Sequence, residues 1–194
     1  MHGVGLHADN QATHAAGAAA ANQLAHGAGA ADDQQIISAP ADISSWDELS
    51  RAYDAITRAL GPIDILIHAA GRVTPGGIED TSLDDWRASL ELNLTSVYNA
   101  ARLVLPGMRE RRRGKIVSCS SVNGRDGGSP LSGVAYAVAK GGIITLTRHL
   151  ARQYAPYNVQ VNCVAPGAVD TPMLDRMSGQ ERLTMIANIP SAVS

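Results

Sequence analysis

Tyr136 and Lys140 stand four positions apart in the small-residue stretch SGVAYAVAKGG, residues 132–142. Side chains spaced four residues apart lie on one face of a helix. A neighbouring ammonium favours a phenolate, so we expect the pKa of Tyr136 to fall below its reference value of about 10. A phenol tuned in this way acts as a general acid or base near neutral pH. The alternative is a tyrosine packed in the core and a lysine directed into solvent.

The composition limits the class of protein. The chain has 194 residues, of which 45% are hydrophobic and 18% charged, and this is typical of one soluble globular domain. The formal net charge of -2 does not favour nucleic acid. Cys119 and Cys163 are too far apart for a metal-binding spacing or a disulfide framework. No signal peptide and no apolar run of about 18 residues is recognised, so we expect a cytoplasmic protein without a membrane partner or a metal.

The one basic cluster is RERRRGK, residues 109–115. Cations at the C-terminal end of a helix complement its dipole, and a following glycine ends the helix. The pattern therefore indicates a structural role for the cluster, with Gly114 as the helix stop, rather than a nucleic-acid site.

The composition of the chain changes at about residue 35. Residues 1–34 are rich in Ala, Gly and His, and we expect a low-complexity segment that is disordered or helical. Residues 35–194 are predicted to form a partial dinucleotide-binding domain, because strand and helix patterns alternate there and favour a parallel sheet. Strands are predicted at 35–42, 63–71, 115–122 and 158–167, the second buried on both faces. Helices are predicted at 44–60, 82–113, 132–155 and 172–189.

Small or hydrogen-bonding residues follow each predicted strand. They are Asp42, residues 68–71, the pair Ser120 and Ser121, and residues 165–173. In an open parallel sheet, ligands bind beyond the carboxyl ends of the strands. The sequence therefore predicts a ligand site along this edge of the sheet.

Six ordered blocks carry a family resemblance: ADIS (41–44), HAAG (68–71), LNLTSVYNAARLVLPGM (92–108), KIVSCSSV (115–122), YAVAK (136–140) and VNCVAPGAVDTPM (161–173). In these blocks the chain resembles a classical short-chain dehydrogenase/reductase over about residues 35–190. The resemblance implies an α/β protein with an incomplete Rossmann-type, three-layer α/β/α fold around a parallel sheet. It also implies a homo-oligomer, either a dimer or a tetramer.

The resemblance implies a role for each residue of a catalytic group. Tyr136 would be the general acid and base on the substrate oxygen. Lys140 would lower the pKa of Tyr136 and hold the nicotinamide ribose, and Ser121 would orient the substrate carbonyl or hydroxyl. Asn93 would support a water that relays protons to Lys140. Taken singly, Asn93 has the alternative of bonding a backbone carbonyl, and Ser121 that of capping a turn.

The resemblance also implies NAD or NADP as the cofactor. Asp42 would face the adenine ring, and its alternative is a cap on the following helix. The remaining residues expected along the cofactor are Ala69, Ala70, Gly71, Pro166, Gly167 and Thr171. The reaction would be hydride transfer that interconverts a secondary alcohol and a ketone in a small-molecule substrate, as in 3-oxoacyl reductases.

The chain departs from the family pattern in ways that bear on activity. The glycine-rich phosphate turn and the first strand are not recognised, and the pattern suggests a chain truncated at both ends. Without that strand, the strand at 63–71 would expose an apolar edge, and the chain would be poorly stable. His68 and Ala69 replace two asparagines, which we expect to remove side-chain bonds from the central strand. An inactive fragment that serves only in oligomer contacts is therefore the alternative function.

Overall fold

The computed structural model describes residues 3–6, 37–129, 131–169 and 179–180. Its described part contains one sheet of four parallel strands, ordered as they occur along the chain. The strands are β1 (Gly3–Leu6), β2 (Ile65–His68), β3 (Gly114–Cys119) and β4 (Val159–Val164). The parallel sheet and the α/β fold class agree with the sequence prediction.

Helices connect these strands. They are α1 (Trp46–Leu60), α2 (Leu83–Leu90), α3 (Ser96–Glu110), α4 (Asn123–Asp126) and α5 (Val134–Tyr154). A π-helical turn, Glu91–Thr95, joins α2 to α3, and a 3₁₀ turn, Ala155–Tyr157, follows α5. The single helix predicted over residues 82–113 is therefore interrupted by a π turn and ends at Glu110.

Local capping explains where the first helices begin and end. The Ser45 side chain accepts a hydrogen bond from the backbone N–H of Glu48, and Gly61 adopts a φ of +82° at the end of α1. Ser82 caps α2 by accepting from the backbone N–H of Asp85 at 3.0 Å. The helix predicted at 44–60 is therefore observed at Trp46–Leu60, and the helix predicted from residue 82 begins at Leu83.

The sheet buries one of its two faces. Leu66, Ile116 and Val161 are aligned on neighbouring strands and are at most 6% exposed. Helices α1, α3 and α5 supply the side chains that pack against this face. Alternate residues point to the other face, where Ile67 is 46% exposed. The prediction that the strand at 63–71 is buried on both faces is wrong for Ile67, because the core helices pack on the opposite side.

Three predictions about the N-terminal half are also wrong: the open edge of β2, the disordered or helical state of residues 3–6, and the strand at residues 37–42. Gly3–Leu6 forms a strand that pairs with β2 along its whole length, with Gly3 opposite Ile65 and Leu6 opposite His68. The edge of β2 expected to be open is therefore hydrogen-bonded, and part of segment 1–34 is a strand. In contrast, residues 37–42 pair with no strand. Asp42 there folds back on its own neighbours, as described below.

The basic cluster at the end of α3 has protein partners. Its contacts are Arg113 to Asp64 at 2.8 Å, Arg111 to the Ile63 carbonyl at 2.9 Å, Arg112 to the Pro156 carbonyl at 2.9 Å, and the Arg109 guanidinium 4.6 Å from the Tyr157 ring centroid. Asp64 is only 6% exposed, so Arg113 compensates a buried carboxylate. These contacts agree with the structural role predicted for the cluster.

The Gly114→Ala substitution is expected to destabilise the fold by about 1–3 kcal/mol. A methyl group at Gly114 would overlap the Met108 side chain, which is fully buried and cannot move aside. Gly77→Ala is the control, because a methyl group there meets Asp80 Oδ2 at an ordinary 3.5 Å. Urea denaturation of both variants measures the difference, and a G114A protein as stable as G77A would contradict this packing.

Candidate active site

The predicted site residues converge at the carboxyl ends of β2 and β3. Ser121 follows β3, and Tyr136 and Lys140 occupy the first two turns of α5. Gly71 follows β2, and Asn93 lies in the π turn between α2 and α3. Five residues from four separate parts of the sequence thus meet at one edge of the sheet.

Tyr136 is half-buried, and the Ser121 hydroxyl is placed to hydrogen-bond its phenol oxygen. The Ser121 oxygen also accepts from the backbone N–H of Asn123 at 3.2 Å, which leaves its own hydrogen free for Tyr136. Burial raises the pKa of the Tyr136 phenol above its ordinary value, and the hydrogen bond with Ser121 offsets part of that rise. The expected fall in the pKa of Tyr136 is therefore wrong.

Lys140 lies beside Tyr136 but is held by the backbone. Its Nζ is 5.4 Å from the Tyr136 ring centroid and donates to the Cys119 carbonyl at 2.8 Å. Lys140 is 3% exposed, and burial lowers the pKa of its ammonium. The alternative of a solvent-directed lysine is excluded. Burial is the largest influence on the pKa of Tyr136.

Gly71 brings the backbone against both Asn93 and Lys140. A methyl group built at Gly71 would lie 2.8 Å from Asn93 Oδ1 and 3.1 Å from Lys140 Nζ. The residue itself is exposed on its other side. The absence of a side chain therefore leaves open backbone directly beside the lysine, where a ligand can approach closely.

Asn93 is completely buried and bonds the backbone on two sides. Its Oδ1 accepts from the N–H of Arg72 at 2.9 Å, and its Nδ2 donates to the carbonyls of Arg72 at 3.0 Å and Ser89 at 2.9 Å. The alternative of backbone bonding is thus observed, and it joins the π turn to the loop after β2. A water relay supported by Asn93 stays a prediction.

His68 ends β2 and is 1% exposed. Its Nε2 lies 3.1 Å from the Ser96 hydroxyl. The prediction that His68 has lost the side-chain bonding of the central strand is therefore wrong. Burial lowers the pKa of His68 to about 4, and the nearby charge of Lys140 acts in the same direction. His68 is consequently neutral at pH 7.

The other predicted cofactor residues have mixed outcomes. Ala69 and Gly167 are exposed, and Pro166 binds the N–H of Val122 through its carbonyl at 3.0 Å, which places this loop beside Ser121. Ala70 is 3% exposed and belongs to the core, so it does not line an open path. Thr171 lies outside the described residues.

Asp42 is exposed and closes a turn before α1. Its Oδ1 accepts from the N–H of Ser44 at 2.9 Å and from the Ser44 hydroxyl at 2.6 Å. Its own N–H donates to the Glu48 carboxylate at 2.8 Å. Asp42 therefore closes a turn with Ser44, whereas the cap of α1 is Ser45. None of these contacts joins Asp42 to the group around Tyr136.

Sequence reasoning gave no role to two residues that hold the site together. Ser120 is 3% exposed and donates to the Lys140 carbonyl at 2.7 Å, so it fixes α5 to the end of β3. Gly124 lets α4 pass close to α5, because a methyl group there would lie 2.5 Å from the carbonyl carbon of Lys140. The serine doublet after β3 was a usable signal for Ser120, but the approach of Gly124 depends on tertiary packing.

Across residues 3–6, 37–129, 131–169 and 179–180, no group of three or more metal-ligating side chains comes together. In the same residues, no helix has both the length and the apolar character needed to cross a membrane.

The sequence matches the family model for short chain dehydrogenases over residues 6–182. The chain therefore belongs to the short-chain dehydrogenase family, whose members are oxidoreductases that bind NAD or NADP. The match begins at residue 6, whereas the sequence blocks that carry the resemblance begin at about residue 35.

Individual relatives agree with this assignment. An acetoacetyl-CoA reductase from Allochromatium vinosum is 39% identical over 150 residues, which are 77% of this chain and 60% of that protein. A 3-oxoacyl-[acyl-carrier protein] reductase from Brucella melitensis has 31% identity and a TM-score of 0.83, with 97% of this chain and 68% of that chain covered. A second such reductase from that organism, solved with bound NAD, has 33% identity and a TM-score of 0.74, over 88% and 63% of the two chains. The chain spans about 60% of the length of the curated relative.

The Gly71→Ala substitution is expected to destabilise the fold by about 1–3 kcal/mol. Asn93 Oδ1, at 2.8 Å from the added methyl group, is fixed by its bond from Arg72 and cannot move away. In an Asn93→Ala background the same change is expected to cost less, because the obstructing oxygen is gone. Denaturant titration of the two single variants and the double variant measures the coupling, and strictly additive losses would contradict the contact.

The folded chain is expected to lose stability as the pH falls from 6.5 towards 4. The pKa of His68 is about 4 in the folded chain against 6.5 for a free histidine, so the unfolded chain binds more protons in this window. The stabilisation is complete above pH 6.5, and about 3 kcal/mol is lost on acidification. Denaturation at a series of pH values measures this slope. His68→Asn is the control, and an equally steep slope in that variant would assign the effect to other groups.

Proposed function

We propose that this chain catalyses NAD(P)-dependent hydride transfer between a secondary alcohol and a ketone, with a 3-oxoacyl thioester as the ketone. The observation that carries the proposal is the group of Ser121, Tyr136 and Lys140 at the carboxyl edge of the sheet, hydrogen-bonded as described above. The substrate class is supported by the acetoacetyl-CoA reductase and 3-oxoacyl reductases that the chain resembles.

In the proposed reaction, the hydroxyls of Ser121 and Tyr136 donate hydrogen bonds to the ketone oxygen. Reduction breaks the carbon–oxygen π bond, and Tyr136 delivers its proton to the oxygen as the carbon receives a hydride. Burial of Tyr136 suits this direction, because a raised pKa keeps the phenol protonated before transfer. Lys140 lies close enough to stabilise the phenolate that remains.

The residues around Gly71 fit a bound nicotinamide nucleotide. Gly71 is exposed and its backbone lies beside the Lys140 ammonium, so a ribose can approach this donor over a residue without a side chain. We assign Tyr136 and Lys140 to the ribose, and the backbone of Ala69, Gly71, Pro166 and Gly167 to the cofactor path, with Thr171 at the carboxamide. NAD(P)H supplies the hydride when bound.

We also propose that the protein is a cytoplasmic homo-oligomer. Leu83 on α2 and Val138 on α5 are 61% and 48% exposed, as expected for apolar surface that a second copy covers. Cys119 and Cys163 are both free thiols, which suits a reducing compartment.

The proposal is tested first by calorimetric titration of the purified chain with NADH and with NADPH, and then by oxidation of the preferred cofactor in the presence of acetoacetyl-CoA. Saturable binding and turnover are the expected results. A folded chain that binds neither cofactor would overturn the proposal and favour the alternative of an inactive fragment in an oligomer.

The Tyr136→Phe variant is expected to lose about 10²- to 10⁴-fold in kcat, because it removes the transferred proton and keeps the ring. Cofactor affinity is expected to fall less than kcat, because Lys140 and the backbone at Gly71 still hold the ribose. Tyr98→Phe is the matched control, since Tyr98 is 48% exposed on α3, away from the site group. Initial-rate kinetics on both variants decide the point, and a Y136F enzyme as active as Y98F would exclude Tyr136 as the acid.

A further inference from the structure

We infer that His68 is a positioning residue: a neutral imidazole that donates from Nε2 to Ser96 and thereby fixes the π turn carrying Asn93. The protonation assignment stands on the hydrogen-bond geometry, whereas any effect on turnover rests on the proposed function. Both side chains are buried: His68 is 1% exposed, and Ser96 is fully buried.

Counting hydrogens fixes the tautomer of His68. The Ser96 hydroxyl contacts two groups, the Leu92 carbonyl and His68 Nε2 at 3.1 Å. A hydroxyl carries one hydrogen and a carbonyl can only accept, so that hydrogen goes to Leu92. Nε2 must then be the donor of the second bond. The imidazole is therefore protonated at Nε2.

The same geometry keeps Nδ1 of His68 without a proton. Nδ1 is buried, and no hydrogen-bond partner for it is found in the described part of the chain. An imidazolium would carry its charge in the interior, with a second positive charge near Lys140, and the backbone of His68 offsets these costs only in part. Both effects favour the neutral ring, in agreement with its lowered pKa.

Ser96 transmits the position of His68 to the site through the π turn. Its backbone N–H donates to the Glu91 carbonyl, the five-residue spacing of a π helix, while its side chain bonds Leu92. Asn93 lies between these anchors. The strand β2 and the loop after it are thus tied to one turn twice, by His68 to Ser96 and by Arg72 to Asn93.

The second tie has little room for displacement. A methyl group at Gly71 would lie only 2.8 Å from Asn93 Oδ1 and 3.1 Å from Lys140 Nζ, so the three groups are in tight register. Loss of the His68–Ser96 bond removes one of the two restraints on that register. We therefore expect the position of Asn93 and the backbone at Gly71 to relax relative to Lys140, which disturbs a site that depends on geometry.

The first test measures the tautomer directly. Long-range ¹H–¹⁵N correlation spectra of the histidine side chains, with His68→Gln used for assignment, distinguish both tautomers and the imidazolium. We expect a ring protonated only at Nε2 at neutral pH in the wild-type chain. A ring protonated at Nδ1, or at both nitrogens, would overturn the inference whether or not the chain is an enzyme.

The second test compares two replacements at position 68. Glutamine carries an N–H₂ that can reach the place of Nε2, whereas leucine fills space without a donor. We expect His68→Leu to lower kcat about 10- to 100-fold with a smaller change in KM, and His68→Gln to recover most of that loss. Equal defects in the two variants would mean that His68 acts only by filling space, and would overturn the inference.

Ser96→Ala supplies the partner variant. It is expected to reproduce the kcat loss of H68L. It should add little to that loss in the H68L/S96A double variant, because each change removes the same His68–Ser96 hydrogen bond. Fully additive effects would contradict the proposed link. If H68L does not fold, S96A alone carries the test, and an S96A enzyme with the kcat of the wild type would overturn the inference. If the wild-type chain proves inactive, the proposed function fails, while the spectra and the same double-variant cycle in urea stability still decide the role of His68.

Discussion

The side chain of Asn93 is the interaction on which the site depends. It closes three hydrogen bonds to backbone atoms of Arg72 and Ser89, and so joins the loop after β2 to the π turn between α2 and α3. A π turn frees backbone groups from the regular helical pattern, and such turns are often found at functional sites. Because Asn93 is fully buried, its polar atoms must be bonded, and this requirement fixes the strand end relative to the helix.

Buried polar groups continue this arrangement along the sheet edge. Ser120 donates to the Lys140 carbonyl, and Lys140 Nζ donates to the Cys119 carbonyl. Lys140 therefore joins α5 to the end of β3 through both its backbone and its side chain. His68 and Ser96 form a similar link between β2 and α3. Each link involves side chains that are costly to bury without partners. The carboxyl edge of the sheet is therefore held by buried hydrogen bonds. Ala69, Gly71 and Gly167 are exposed and leave its surface open.

The membership of the short-chain dehydrogenase family and the architecture support each other. The family match extends over residues 6–182, and the structural likeness to a Brucella melitensis reductase covers 97% of this chain. The structural likeness covers 68% of that reductase, and the sequence match covers 60% of the acetoacetyl-CoA reductase. Ser121, Tyr136 and Lys140 all lie within the matched part.

The sequence by itself determined the elements and the family. Hydrophobic runs, helix-capping serines and the spacing of Tyr136 and Lys140 are local signals. They placed three helices and three strands of the described part and the pair Tyr136 and Lys140 on one helix. Tertiary structure alone decided the rest. The pairing of Gly3–Leu6 with β2, the one-sided burial of the sheet and the raised pKa of Tyr136 all depend on neighbours distant in the chain. Burial and hydrogen-bond partners are properties of packing, and no short pattern contains them.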